Sequence, residues 1–143
     1  MKTTRNSWAT EHSIQTNAAP ERIWALFQDV PGWKRWNAGI EQIELEGPFA
    51  TGTWFSMTPP GQEALRTQLI DVREGQHFVD ETQVGELVVT VAHRIERVAA
   101  NLTRIVYAVE AKGPGADEIG PAIAADFPEV LAALVALAEA TCR

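Results

Sequence analysis

His93 and Tyr107 stand at corresponding places on two successive alternating segments, each on the apolar side of its own. Over residues 86 to 98, Leu87, Val89, Val91, His93 and Ile95 share one side, and Glu86, Thr90, Arg94 and Glu96 share the other. In the next segment Ile105, Tyr107 and Val109 oppose Arg104, Glu110 and Lys112. A polar group on such a face must find a partner or lose its hydration uncompensated. Two readings follow. In one, His93 is a core histidine bonded to Tyr107 or to a backbone carbonyl. In the other, it moves protons, since imidazole titrates near neutrality, while Tyr107 donates to a substrate carbonyl. Asp80, or Glu81 in the opposite register, is placed to orient the imidazole.

Other chemistries lack their residue patterns. The three histidines are scattered, with no His-Glu-x-x-His, no His-x-His and no paired cysteines, so no metal is expected. His12 sits on the mixed face of its segment, either lining a pocket or facing solvent, and His77 beside a turn is expected to be exposed. The Gly-containing stretch 46 to 52 lacks the Lys-Ser/Thr ending of a phosphate loop and reads as a turn. No Gly-x-Ser-x-Gly elbow occurs, and the single cysteine, Cys142, reads as an exposed terminal thiol that makes a poor nucleophile. No cofactor is expected.

The elements that must hold these residues are legible in the periodicity. Residues 8 to 16 alternate, with Trp8, Thr10, His12, Ile14 and Thr16 on one side. Pro20 then opens a short helix carrying Ile23, Leu26, Phe27 and Val30, stopped by Pro31-Gly32, and a second short turn holds Trp33 and Trp36. From 40 to 112, strands are divided by Gly47-Pro48, Pro59-Pro60-Gly61, Glu74-Gly75, Val84-Gly85 and Ala100-Asn101. The count is about seven strands, antiparallel and wet on one face. Ile119, Ile123, Phe127, Val130, Leu134 and Leu137 recur at helical spacing, predicting a long amphipathic helix that covers the sheet and bends at Pro128, either by a kink or by a fresh start capped by Asp126. The fold class is α+β, in one domain spanning 1–143.

Nineteen acidic residues against twelve basic ones give a net charge of −7, which repels phosphate backbones and excludes nucleic acid as the expected partner. The basic start is not followed by the apolar block of a signal peptide, and no later run is read as a membrane span. The expectation is a cytoplasmic protein without membrane insertion, monomeric or homodimeric.

The stretches Ala19-Pro20-Glu21-Arg22-Ile23-Trp24, Asp29-Val30-Pro31-Gly32-Trp33-Lys34-Arg35-Trp36, Gly52-Thr53, His93-Arg94-Ile95-Glu96 and Lys112-Gly113-Pro114 carry a resemblance across nearly the whole chain. It resembles the START-like (SRPBCC) superfamily with its Bet v 1-like helix-grip fold, specifically the bacterial polyketide cyclase/dehydrase-like branch. The resemblance implies a curved sheet wrapped around a long C-terminal helix, with a hydrophobic cavity between them that holds lipids, sterols or polyketides. Some members are cyclases or dehydratases and many only bind or carry. Catalytic residues vary among subfamilies, so none transfers by position.

Within that layout the tryptophans of Asp29-Val-Pro-Gly-Trp-Lys-Arg-Trp-Asn37 are expected to close one end of the cavity. Trp33, Trp36, Phe55, Met57, Phe78, Asp80, Val91, His93, Tyr107, Val109, Ile123 and Phe127 are the candidate lining. Three functions remain open: a binding protein for an apolar or aromatic small molecule, oriented by His93, Tyr107 and Asp80; a cofactor-independent cyclase, dehydratase or isomerase using His93 and Tyr107; and a protein-partner role, which would need a large exposed apolar patch.

Overall fold

The computed structural model describes residues 6–140, so Cys142 lies outside the described residues. Strand β1 (Ser7–Thr16) leads into helix α1 (Pro20–Gln28) and a 3-10 helix (Val30–Arg35). Six strands follow: β2 (Gln42–Leu45), β3 (Trp54–Thr58), β4 (Leu65–Arg73), β5 (His77–Val84), β6 (Leu87–Ala99) and β7 (Leu102–Lys112). Helices α2 (Ala116–Ala124) and α3 (Phe127–Ala140) close the chain.

All seven strands form one antiparallel sheet in the order β1-β7-β6-β5-β4-β3-β2. The two edge strands, β1 and β2, are consecutive in sequence, and α1 with the 3-10 helix fills the connection between them. Register shifts between Leu69 and Asp71 on β4 and between Arg97 and Ala99 on β6 mark bulges, which bend strands and increase local twist, as a cupped sheet requires. Gly113, at a φ of +123°, ends β7; a Cβ there would stand 2.5 Å from the Glu86 carbonyl, so only glycine lets this corner close against the start of β6.

Helix α1 begins with Pro20 in its first turn and buries Ile23, Trp24, Leu26 and Phe27, a side consistent with helical spacing. The 3-10 helix buries Val30 and Trp33 and is clamped by an Arg35–Asp29 ion pair at 3.1 Å. Both press on the concave face of the sheet with α3, whose Val130, Leu131, Leu134 and Val135 join Phe27, Phe78 and Ile105 in the larger of two apolar cores. The smaller core gathers Leu87, Val89, Val91, Val109 and Ala111 under α2.

The covering helix breaks after Ala124 and starts afresh at Phe127, the second of its two expected forms; Asp126 precedes the new helix and accepts from the Val130 N–H through its backbone carbonyl at 2.9 Å, with no side-chain cap made by its carboxylate among the described residues. One large residue departs from the expected buried face. Ile119 is not a core residue. It is 39% exposed, and α2 seats itself through Ala116, Gly120 and Ala124 instead, because Trp8 of β1 lies flat against the position of Gly120. The residues Ala116–Ala140 together also match a membrane span in length and apolar composition, correcting the reading that no run approaches one.

Candidate functional site

Cross-strand register sets the centre of the concave face. Phe78 on β5 stands opposite His93 on β6, which stands opposite Tyr107 on β7, which stands opposite His12 on β1. Side chains at facing positions lie on one side of a sheet, so these four form a row. The His93 ring stacks on Phe78 with centroids 3.9 Å apart and planes 9° from parallel, and meets Tyr107 edge-on at 4.6 Å. His93 Nδ1 lies 3.2 Å from the Phe78 carbonyl oxygen, so the tautomer with a proton on Nδ1 donates there. Burial pushes the imidazole down to about 3, outweighing the opposite effect of that hydrogen bond. His93 is therefore neutral across the physiological range and a weak base.

Asp80 does not orient the histidine. It stands opposite Val91, two register positions from the Phe78–His93 pair, and makes no hydrogen bond or ion pair among the described residues. Its carboxyl is enclosed without a counter-charge, and desolvation lifts it to about 7. The residue retains accessible surface, and it lines a cavity, so that surface opens inward. The Tyr107 hydroxyl is shifted upward, first by burial and then by the Asp80 charge. Its oxygen is buried, with no hydrogen-bond partner among the described residues.

The cavity beside these groups has a volume of about 560 Å³ and lies between the sheet and the α2–α3 junction. Its walls draw on both apolar cores, with Phe78 and Tyr107 from one and Val89 and Val91 from the other. Trp33 and Trp36 form one end. The Trp33 Nε1–H donates to the Phe27 carbonyl at 2.9 Å, while its ring stacks on Phe78 at 5.5 Å and meets Phe55 edge-on at 5.5 Å. Trp36 is equally buried, yet its Nε1 has no partner among the described residues. Met57 and Phe55 on β3, with Ile123 and Phe127 at the helix junction, also reach the cavity.

Two candidates lie elsewhere, and a third histidine departs from its expected exposure. Val109 is 1% exposed and packed under α2 with Ala111 and Ala124, so it does not line the cavity. His12 packs edge-on against Phe127 at 6.3 Å, also outside the lining. His77, expected to be exposed, is half-buried and pairs through Nε2 with Asp71 at 2.9 Å.

Sequence reasoning missed Thr67 and Thr82, which face each other across β4 and β5 with hydroxyls 2.8 Å apart and line the cavity. The alternation Phe78, Asp80, Thr82 along β5 carried that signal. It missed Asn37, Gln62 and Asp126 at the wall and mouth, which belong to loops without periodicity. Phe49, in the stretch read as a simple turn, packs on Trp24 and Phe78 at 5.7 and 5.2 Å and seals the core from outside.

Residues 7–139 match the family described as polyketide cyclase / dehydrase and lipid transport. The chain belongs to this family. No curated protein sequence matches it. Among solved structures, the Zhui aromatase/cyclase from Streptomyces sp. R1128 superposes with a TM-score of 0.81 at 15% identity, covering 96% of each chain. Norcoclaurine synthase from Thalictrum flavum, solved with dopamine and hydroxybenzaldehyde, gives 0.75 at 16% identity over 96% of this chain and 89% of that one. Ara h 8.0201 gives 0.75 at 15% identity over 94% and 99%. At these identities the likeness establishes the Bet v 1-like helix-grip fold. Family membership supports hydrophobic ligand binding or cyclase activity as the general class of function.

Proposed function

We propose that this protein binds an aromatic or other largely apolar small molecule inside the cavity, acting as a cytoplasmic carrier or sensor, without a cofactor. The observation that carries the reading is the cavity itself. About 560 Å³ lies between the two apolar cores, walled by Trp33, Trp36, Phe78 and Tyr107, and the Asp80 carboxyl reaches it without a hydrogen-bond partner among the described residues. Few convergent polar groups in a mostly apolar concavity are what small-molecule sites use for orientation and affinity. The test is native mass spectrometry of freshly purified protein, with titration of an apolar fluorescent dye. A co-purified small molecule, or saturable dye binding at one site that polyphenols or sterols displace, supports the proposal. A protein that carries nothing and binds the dye only non-saturably sinks it.

A second reading, a cyclase- or dehydratase-type enzyme, is favoured by a different observation. A general acid or base works best with a pKa near the operating pH, which Asp80 at about 7 meets. His93 at about 3 is poorly suited as the base, and the Tyr107 oxygen is closed off from a substrate carbonyl. In the enzymatic case Asp80→Asn abolishes turnover of a bound carbonyl compound while affinity is kept, and His93→Ala reduces both together.

A further inference from the structure

We infer that the cavity is built for an organic cation, a protonated aromatic amine whose ammonium group pairs with the Asp80 carboxylate. This rests on the reading of the cavity as a small-molecule site and adds the sign of the ligand's charge.

The charges that face the cavity are all of one sign. Of its lining residues none is lysine or arginine; the ionisable ones are Asp80 on β5, His93 on β6, Tyr107 on β7 and Asp126 at the α2–α3 junction. From β4 and the 3-10 helix come Thr67 and Trp33, which carry no charge. His93 stays neutral and the tyrosine stays protonated, so Asp80 is the one group inside whose charge can change near neutrality. Asp126 is exposed at the rim. A carboxylate ligand would meet only like charge, with no cation to receive it.

A neutral ligand that accepts hydrogen bonds from Asp80 and Tyr107 together is the other way to satisfy both groups. The Tyr107 oxygen argues against it, because almost none of its surface is open to a guest, whereas Asp80 retains accessible surface. An ammonium at Asp80 needs only that carboxylate. It holds Asp80 ionised, and that negative charge adds to the burial that keeps the Tyr107 hydroxyl protonated. The surrounding faces of Trp33, Trp36, Phe78 and Tyr107 suit the same guest, since aromatic quadrupoles attract cations and stack on aryl rings. The net charge of −7 draws cations towards the molecule from solution.

The test uses three probes of one shape and different charge, naphthylethylamine, naphthylethanol and naphthylacetate, titrated calorimetrically into the full-length protein. The amine should bind most tightly, with affinity rising about tenfold between pH about 6 and about 8 as Asp80 loses its proton while the amine keeps its own. The alcohol should bind more weakly, with no such dependence. Asp80→Asn should bring the amine down to the alcohol's affinity and abolish the amine's pH dependence. If that variant does not fold, the pH comparison on the natural protein decides. An amine no tighter than the alcohol at pH about 8, or a preference for naphthylacetate, overturns the inference while the bound alcohol leaves the small-molecule site standing. Failure of all three to bind overturns both.

Discussion

The His93 ring lies flat on Phe78, 3.9 Å between centroids, and its Nδ1 reaches that residue's own carbonyl oxygen at 3.2 Å. One neighbour thus supplies both the apolar surface and the hydrogen-bond acceptor that a buried imidazole needs. The arrangement suits the neutral ring. A proton added to it would sit on a buried, stacked ring with no carboxylate bonded to it.

Acid should therefore destabilise the fold through His93. Its ordinary value of 6.5 falls to about 3 in the folded protein, so between these pH values the unfolded chain binds a proton that the folded chain refuses. The stabilising contribution is complete above 6.5 and is lost as pH falls towards about 3, at up to about 1.4 kcal/mol per pH unit. His93→Phe keeps a stacked aromatic and removes the titration. In urea unfolding, the variant should lose less stability than the natural protein between pH about 7 and about 5. Parallel losses in the two proteins would mean that His93 is not held neutral.

Asp80 acts with the opposite sign. Its value rises from 3.8 to about 7 on folding, so the folded protein holds a proton that the unfolded chain has released. That contribution is complete below 3.8 and disappears as pH rises through about 7, leaving a buried carboxylate without a partner. Asp80→Asn in ligand-free protein should thus be increasingly stabilising, relative to the natural protein, across that window and constant above it. Melting temperatures recorded as a function of pH check this. A variant whose advantage does not grow with pH contradicts the enclosure of Asp80.

The opposing slopes show where sequence stops being informative. Alternation placed His93 and Tyr107 on inward faces because one-sided strands announce their buried side, left Asp80 and Glu81 as alternatives on theirs, and the sheet came out with the seven strands expected. Register does not show in a single strand. It is register that sets His93 against Phe78 and Asp80 against Val91, which removes Asp80 as the histidine's orienting partner. Thr82 was passed over although it continues the inward alternation of Phe78 and Asp80, and Thr67 because its place shows only through its pairing with Thr82. The covering helix was misread for a related reason. Large residues mark a buried face where helix and sheet stand apart, but α2 approaches so closely that its small residues are inside and Ile119 is outside.

Gly120 is where that approach is tightest. A Cβ built there would stand 2.2 Å from the Trp8 ring, so a side chain must displace an indole that is packed against the smaller core. Alanine gains about 1 kcal/mol of helix propensity over glycine, while overpacking costs about 1–3 kcal/mol, so Gly120→Ala should be mildly and Gly120→Val clearly destabilising. The partner experiment is Trp8→Ala, which alone loses the buried indole area. Combined with Gly120→Val it should cost less than the sum of the two single changes, by about 1 kcal/mol or more in a double-mutant cycle. Strict additivity would separate Trp8 from α2.

Trp33 and Trp36 offer a matched comparison at the far end of the cavity. Both are almost fully buried, but the Trp33 N–H donates to the Phe27 carbonyl at 2.9 Å and the Trp36 N–H has no partner among the described residues. Replacing either by phenylalanine removes similar apolar area, so the difference between the two variants isolates the hydrogen bond. Trp33→Phe breaks a buried bond and leaves a carbonyl short of its donor, at about 1–2 kcal/mol. Trp36→Phe removes a donor whose burial is already unfavourable, which offsets part of the lost contact. Urea unfolding without ligand should place Trp33→Phe below Trp36→Phe by about 1–2 kcal/mol. A bound guest that accepts a hydrogen bond from the Trp36 indole would narrow the gap in its presence, because Trp36→Phe would then lose a bond as well. Equal stabilities without ligand would show that the Trp36 indole is already satisfied, for instance by an ordered water at this wall of the cavity.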